Sequence, residues 1–399
     1  MGKQKYFWMV LLFWVLSGCF VPIVYADDVV KWKPVVEMEG QVFPSFLLAT
    51  ANIKSASENE RTPSYYVGDA KGLIGITVVP VADDSKIKLE LPETSLFEQT
   101  SIEATLKQKG ITYTIFPVIR YKYDSMSKIR QSKPMIVTLR LTVNGNLEEK
   151  TETVRIRSIN DCPLLVTVGC DSKPLVMPWM FAAYVNEDHP YVDGILKEAL
   201  KRKLVSQFDG YQSKNPKQVY MQVYAIWNIL QRRGFRYSSV TQVASESDRI
   251  FSQHVRFIDQ SIKSNQANCV DGSVLFASVL RKIGIDVDLV LMPSHCLICF
   301  YASPERKDPV KLETTMLGSI DSDRYTDDPV KVLLGGKSKN DAAWTTFNQA
   351  VKVGYKKVYD NKQGFADGRV GYVVLPISVA RKKGINPIPY EPALDEELR

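Results

Sequence analysis

Cys269 is the residue best placed to do chemistry. It opens the run Cys269-Val-Asp-Gly-Ser-Val-Leu-Phe-Ala-Ser-Val-Leu-Arg-Lys-Ile-Gly284, in which Val270, Val274, Leu275, Phe276, Ala277, Val279, Leu280 and Ile283 leave little polar face. That pattern predicts a central helix from Cys269 to Ile283, stopped by Gly284. A thiol in the first turn lies among unpaired backbone N–H groups at the positive end of the helix dipole, which favours a thiolate. The same N–H groups, that of Cys269 first, are donors for an oxyanion. A thiol nucleophile needs a base, and the chain has three histidines. His189 precedes Pro190 and reads as a capping or surface residue, while His254 falls inside a predicted helix. His295 follows Met292-Pro-Ser at the head of an apolar strand, where an imidazole can abut the start of the Cys269 helix. His295 is the candidate base. Glu313, in Lys311-Leu-Glu-Thr-Thr315 at the end of the next strand, is the candidate acceptor that orients its ring.

Other constellations are weaker. Cys296-Leu-Ile-Cys299 has metal-ligand spacing, but residues three apart on a strand point to opposite faces. The pair reads as small core side chains, with no metal or redox role. Gly335-Gly336, followed by Lys337-Ser-Lys-Asn340, lacks phosphate-loop spacing and reads as a loop, and no dinucleotide fingerprint or paired-carboxylate motif stands out. No cofactor is therefore expected. Apolar residues make up 45% and charged residues 24% of the 399, ordinary for a chain that buries a core. Six cysteines are too few for a disulfide-stapled scaffold. The formal charge of +7 is spread along the chain, which argues against a nucleic-acid partner.

The elements that must position these residues form two parts. From about Val29 to Val168, alternating runs such as Lys86–Leu91, Ile111–Phe116, Ile136–Val143 and Thr151–Arg157 predict strands with one buried face. Asn144-Gly145 between the last two is a hairpin turn signal. Short strands over this span suggest a β-sandwich. After Pro178 the spacing turns helical. Helices are predicted over Pro190–Phe208, with Lys201-Arg-Lys203 on its solvated face, and over Gln218–Arg233 and Glu246–Lys263 as well as the Cys269 segment. Strands over Val287–Met292, Leu297–Tyr301 and Val310–Leu312, a helix over Asp341–Val358 and a strand over Val370–Leu375 follow. The fold class is α+β, with a boundary near residue 175, a second domain over 176–380 and an extended tail over 381–399.

The N-terminus reads as an export signal, with Lys3 and Lys5 ahead of an apolar run from Tyr6 to Leu16. Three exits compete: cleavage after Ala26 in Val24-Tyr-Ala26, lipidation at Cys19 in Leu16-Ser-Gly-Cys19, and retention as an uncleaved anchor. Cleavage is favoured because the residues after Cys19 are apolar rather than a polar tether. Under each, residues from 27 onward work outside the cytoplasm, in the periplasm or cell envelope, either soluble or tied to the membrane through the N-terminus. Cys162 and Cys170 have the spacing of a small disulfide loop there, or stand as two unpaired thiols.

Cys at a helix start, His at the head of the following strand and an acid near the end of the next one resemble the transglutaminase-like, papain-related cysteine fold. The resemblance covers about residues 185–320. It implies that helices pack on an antiparallel sheet in the second domain and that Cys269, His295 and Glu313 form a triad. It also implies attack of a thiolate on a protein or peptide amide and a thioester resolved by water or an amine. Two features depart from the family's pattern: Glu313-Thr-Thr315 stands where Asp-Pro-Thr is common, and no Trp follows His295. Two functions follow as expectations. One is an exported thiol peptidase or amide transferase acting on envelope proteins or peptides. The other is a catalytically inactive module of the same fold that binds or scaffolds envelope partners.

Overall fold

A computed structural model describes residues 30–53, 65–69, 71–167, 174–238, 243–247, 249–320 and 325–389. The leader with Cys19 and Ala26, Cys170 and the last ten residues lie outside the described residues. The fold is α+β. In the N-terminal part, one sheet has the order Gln41–Val42, Asn146–Ile156, Lys133–Val143, Ser85–Leu91, Thr100–Leu106. A second has the order Lys31–Val36, Ile74–Val79, Tyr113–Phe116, Tyr66–Gly68. The period-two alternation turns Ile87, Leu89, Leu91, Val137, Leu139 and Leu141 of the first sheet, and Ile74, Ile76 and Val78 of the second, into one core. Asn144 and Gly145 both adopt positive φ, 47° and 92°, in a two-residue turn that pairs Val143 with Asn146.

A further sheet, Leu175–Val176, Asp161–Val166, Ile250–His254, Val243–Glu246, takes strands from both sides of residue 175. It also corrects the expected helix over Glu246–Lys263. Ile250 and Ser252 are fully buried against Asp161–Val166 in an antiparallel pairing, and only Ile258–Ser264 is helical. Long-range pairing has overridden a local spacing that suited a helix equally well. His254 accordingly ends a strand, with Nδ1 3.4 Å from Asp161 Oδ1. The helix expected over Pro190–Phe208 stops at Lys201. Lys203 takes a left-handed φ of 56°, and the Lys203 and Leu204 amides donate to Leu200 and Ala199, so the charge run is the helix end. His189 caps its start, Nδ1 accepting from the Tyr191 amide at 3.3 Å. Cys162 is buried in the Asp161–Val166 strand, and burial raises its thiol pKa.

The second half carries an antiparallel sheet of order Pro309–Leu312, His295–Tyr301, Val287–Met292, Val373–Pro376. Helix Cys269–Lys282 packs on one face. There it covers Cys296, Ile298 and Phe300, while Leu297, Cys299 and Tyr301 belong to a separate cluster with Val358, Phe365 and Tyr372. Cys296 and Cys299 thus face opposite ways, as the strand period requires. Helices Pro216–Arg232 and Lys339–Asp360 pack together through Tyr220, Tyr224, Trp227, Trp344 and Phe347. Among the described residues no helix is long and apolar enough to cross a membrane.

Where the sheets meet, Arg157 Nε lies 2.9 Å from Asp161 Oδ2, and both side chains are almost wholly buried. Removing the cation leaves a buried carboxylate short of charge. Arg157→Met is expected to cost about 3–5 kcal/mol in urea unfolding. A cost below about 1 kcal/mol would show that this joint does not depend on the ion pair.

Candidate active site

The Cys269 helix begins with a fixed cap. Asn268 Oδ1 accepts from the Val270 and Asp271 amides at 2.9 Å each, and Asp271 Oδ2 accepts from the Asn268 amide at 3.2 Å. Asp271 is held in turn by the Arg256 amide at 2.9 Å and the Arg256 guanidinium at 3.3 Å. The cap takes the amides of the second and third helical residues, and the Cys269 amide is not among those it engages. Every residue from Cys269 to Leu280 is buried, so this helix start is set inside the fold, with Cys269 itself 7% exposed.

His295 is the first residue of its strand, reached through the Pro293-Ser294 turn, in which Ser294 has φ of 60°. Its Nε2 lies 2.7 Å from Glu313 Oε2. The Cys269 thiol acts on the same imidazole and raises its pKa. Glu313 caps the short 3-10 turn Thr314–Met316. Its Oε1 accepts from the Thr315 amide at 3.2 Å and the Thr315 hydroxyl at 2.6 Å. The three residues singled out from the sequence therefore meet, from three separate segments.

Two glycines let the flanking helices come this close. A Cβ on Gly272, one turn into the Cys269 helix, would lie 3.2 Å from Thr314 Oγ1, the residue after Glu313. A Cβ on Gly354 would lie 2.6 Å from the Lys311 carbonyl oxygen, so helix Lys339–Asp360 rides directly on the strand that leads to Glu313. The Glu313 amide donates to Ala350 of that helix at 3.2 Å. One turn beyond Gly354 the same helix delivers Lys357, whose Nζ lies 2.9 Å from Glu313 Oε2 and 3.0 Å from His295 Nε2.

The electrostatics follow from this packing. Burial alone would lower the His295 pKa, but hydrogen bonds to Cys269 and Glu313 outweigh it and raise it to about 9. Burial would raise Glu313, yet hydrogen bonds from His295, Thr315 and Lys357 bring it down to about 2. Burial pushes the Cys296 thiol well up, helped by the neighbouring Cys269, and raises Cys299 to about 11. Neither is poised as a nucleophile. Tyr237, 46% exposed, stands within electrostatic reach of Cys269 and Glu313, and its pKa is raised by burial and then by those charges.

No protein-family model matches the chain. No curated protein matches it either.

Three further contributors complete the site: the Asn268/Asp271 cap, Thr315 and Lys357. The Asn268/Asp271 cap was legible, because Asn-x-x-Asp before an apolar run is a helix-start signature. Thr315 has no signal of its own in the sequence, since its role depends on how the Glu313 side chain folds back on it. Lys357 carried no local signal, lying 62 positions from His295 on a helix with several other lysines.

The two shifts fix a pH window for stability. Glu313, lowered from 4.5 to about 2, stabilises the fold above pH 4.5 and loses that contribution as pH falls toward 2. His295, raised from 6.5 to about 9, contributes fully below pH 6.5 and loses it as pH rises through 9. His295→Gln is therefore expected to lower stability most between pH 5 and 6.5, with a smaller deficit above pH 9. Urea melts at pH 6 and pH 9.5 measure this, and equal deficits at both would contradict it.

Proposed function

We propose that the chain is an exported thiol enzyme of the transglutaminase-like, papain-related class, a peptidase or amide transferase acting on protein or peptide amides. The observation that carries the reading is the convergence on His295 of Glu313, whose Oε2 lies 2.7 Å from Nε2, and of the Cys269 thiol, which lies close enough to raise the imidazole pKa. The antiparallel sheet with the Cys269 helix on one face supports the same class. The charged, apolar and small residues of the leader support export.

In this reading His295, with its raised pKa, already carries the proton at neutral pH, and Cys269 attacks the amide carbonyl as the thiolate of that ion pair. Negative charge builds on the carbonyl oxygen, where the Cys269 amide, which the Asn268 cap does not engage, is the donor. The C–N bond breaks as the His295 imidazolium protonates the leaving amine, and a thioester to Cys269 remains. His295, now neutral, takes a proton from water or an incoming amine, which attacks the thioester and returns the thiol. Glu313 keeps the ring in register through Nε2 and balances the imidazolium, and Thr315 keeps Glu313 in place.

Iodoacetamide labelling at pH 6 tests the reading without a known substrate. Cys269 is expected to label first, because burial holds Cys162, Cys296 and Cys299 as thiols. His295→Ala is expected to slow that labelling by on the order of 10²-fold or more. Glu313→Gln should slow it less, since an amide oxygen still accepts from Nε2. Cys269→Ala should leave the melting temperature nearly unchanged while abolishing turnover. Uniformly slow labelling of all thiols would sink the enzyme reading and make the chain a binding module instead.

A further inference from the structure

We propose that Lys357 is a positioning residue of this site: its ammonium shares the Glu313 carboxylate with His295 and so limits how firmly the imidazolium holds its proton. The inference deepens the thiol-enzyme reading, on which its catalytic meaning rests. The geometry itself stands apart from that reading.

Glu313 Oε2 receives two cationic donors, His295 Nε2 at 2.7 Å and Lys357 Nζ at 2.9 Å, and the two nitrogens are only 3.0 Å apart. A carboxylate that is fully buried and faces a single imidazolium would bind its proton very tightly. An acid that must hand that proton to a leaving amine works better when the grip is looser. A second cation on the same oxygen loosens it in two ways. It divides the carboxylate's charge, and it repels the imidazolium directly. The electrostatic balance agrees, since Lys357 works to lower the His295 pKa against the raising effect of Cys269 and Glu313.

The placement is built rather than incidental. Gly354 permits the helix to touch the Lys311 carbonyl, Ala350 accepts from the Glu313 amide, and Lys357 follows one turn later. The Lys357 side chain is 39% exposed, against 1% for Glu313, so it reaches the buried carboxylate from the solvent side. The titratable groups facing His295 are Cys269 from the helix start, Glu313 from the strand end and Lys357 from helix Lys339–Asp360. Tyr237 adds a phenol near Cys269 and Glu313. Of these, Lys357 is the cation.

With three histidines in the chain, ring proton–nitrogen NMR titrations of the whole protein can follow His295 directly. Lys357→Met and Lys357→Gln, which remove the charge with and without a polar end, are expected to raise the His295 midpoint by roughly one pH unit. Lys357→Arg is expected to restore the wild-type midpoint. An unchanged midpoint in both neutral variants would overturn the inference. So would a lowered one, which would mean that Lys357 only holds Glu313 in place. Slow Cys269 labelling in the wild type, with a raised midpoint in Lys357→Met, would remove the enzyme reading and leave the role of Lys357 standing.

Discussion

A carboxylate with no exposed surface must be satisfied from inside the fold, and Glu313 is that carboxylate. Both of its oxygens are used. Oε1 turns back on Thr315, and Oε2 meets His295 and Lys357. An uncompensated charge there would cost several kcal/mol, so the segments bearing these groups are tied to one arrangement. They are the head of one strand, the end of its neighbour and the last turns of helix Lys339–Asp360. The Cys269 helix joins the same arrangement through Gly272 against Thr314 and through the Ser273 hydroxyl, 3.3 Å from Thr314 Oγ1. The Cys269, His295 and Glu313 cluster is therefore also a point where four segments of the second half of the chain are tied together.

That dual role explains why the site's backbone is so heavily supported. Helix Cys269–Lys282 is buried from its first residue, its cap is closed by Asn268 and Asp271, and Asp271 is tied to Arg256 on the segment just before helix Ile258–Ser264. The path continues to the joint with the N-terminal sheets, where Val255 donates to Asn160 and Asn160 Nδ2 donates to the Val255 carbonyl at 2.7 Å. The strand Ile250–His254 and the cap of the Cys269 helix thus hang from one short stretch of chain. The orientation of the thiol is supported by the shared sheet and not by its own helix alone.

The sequence made part of this legible, and the difference is physical. Cys269, His295 and Glu313 each lie at the end of a strongly patterned element, so their positions follow from local periodicity and element order. The antiparallel strands Val287–Met292 and His295–Tyr301 were readable for the same reason. The segment Glu246–Lys263 was not, because a few apolar residues suit a helix as well as a strand and only pairing with Asp161–Val166 decides. Lys357 shares a helix with Lys339, Lys352 and Lys356, and charge on an amphipathic helix normally means solvent. Its partner is chosen by the close approach at Gly354, a tertiary fact without a local signature.

The length of the glutamate side chain fits the same constraint. Glu313 takes its backbone position from the strand Pro309–Leu312 and from the Ala350 carbonyl, and both are fixed by helix packing. From there the side chain must span to His295 while its other oxygen caps the Thr315 turn. Shortening it by one methylene withdraws the carboxylate by about 1.5 Å, the length of one carbon–carbon bond. The 2.7 Å contact to His295 would then open beyond hydrogen-bond distance unless the strand moved in by a similar amount. The strand has no such freedom, because Gly354 already brings helix Lys339–Asp360 into contact with the Lys311 carbonyl. The acid's length and the close helix are therefore one solution: the helix fixes the strand through Lys311 and Glu313, the side chain spans from there to His295, and the same helix supplies Lys357 to the carboxylate.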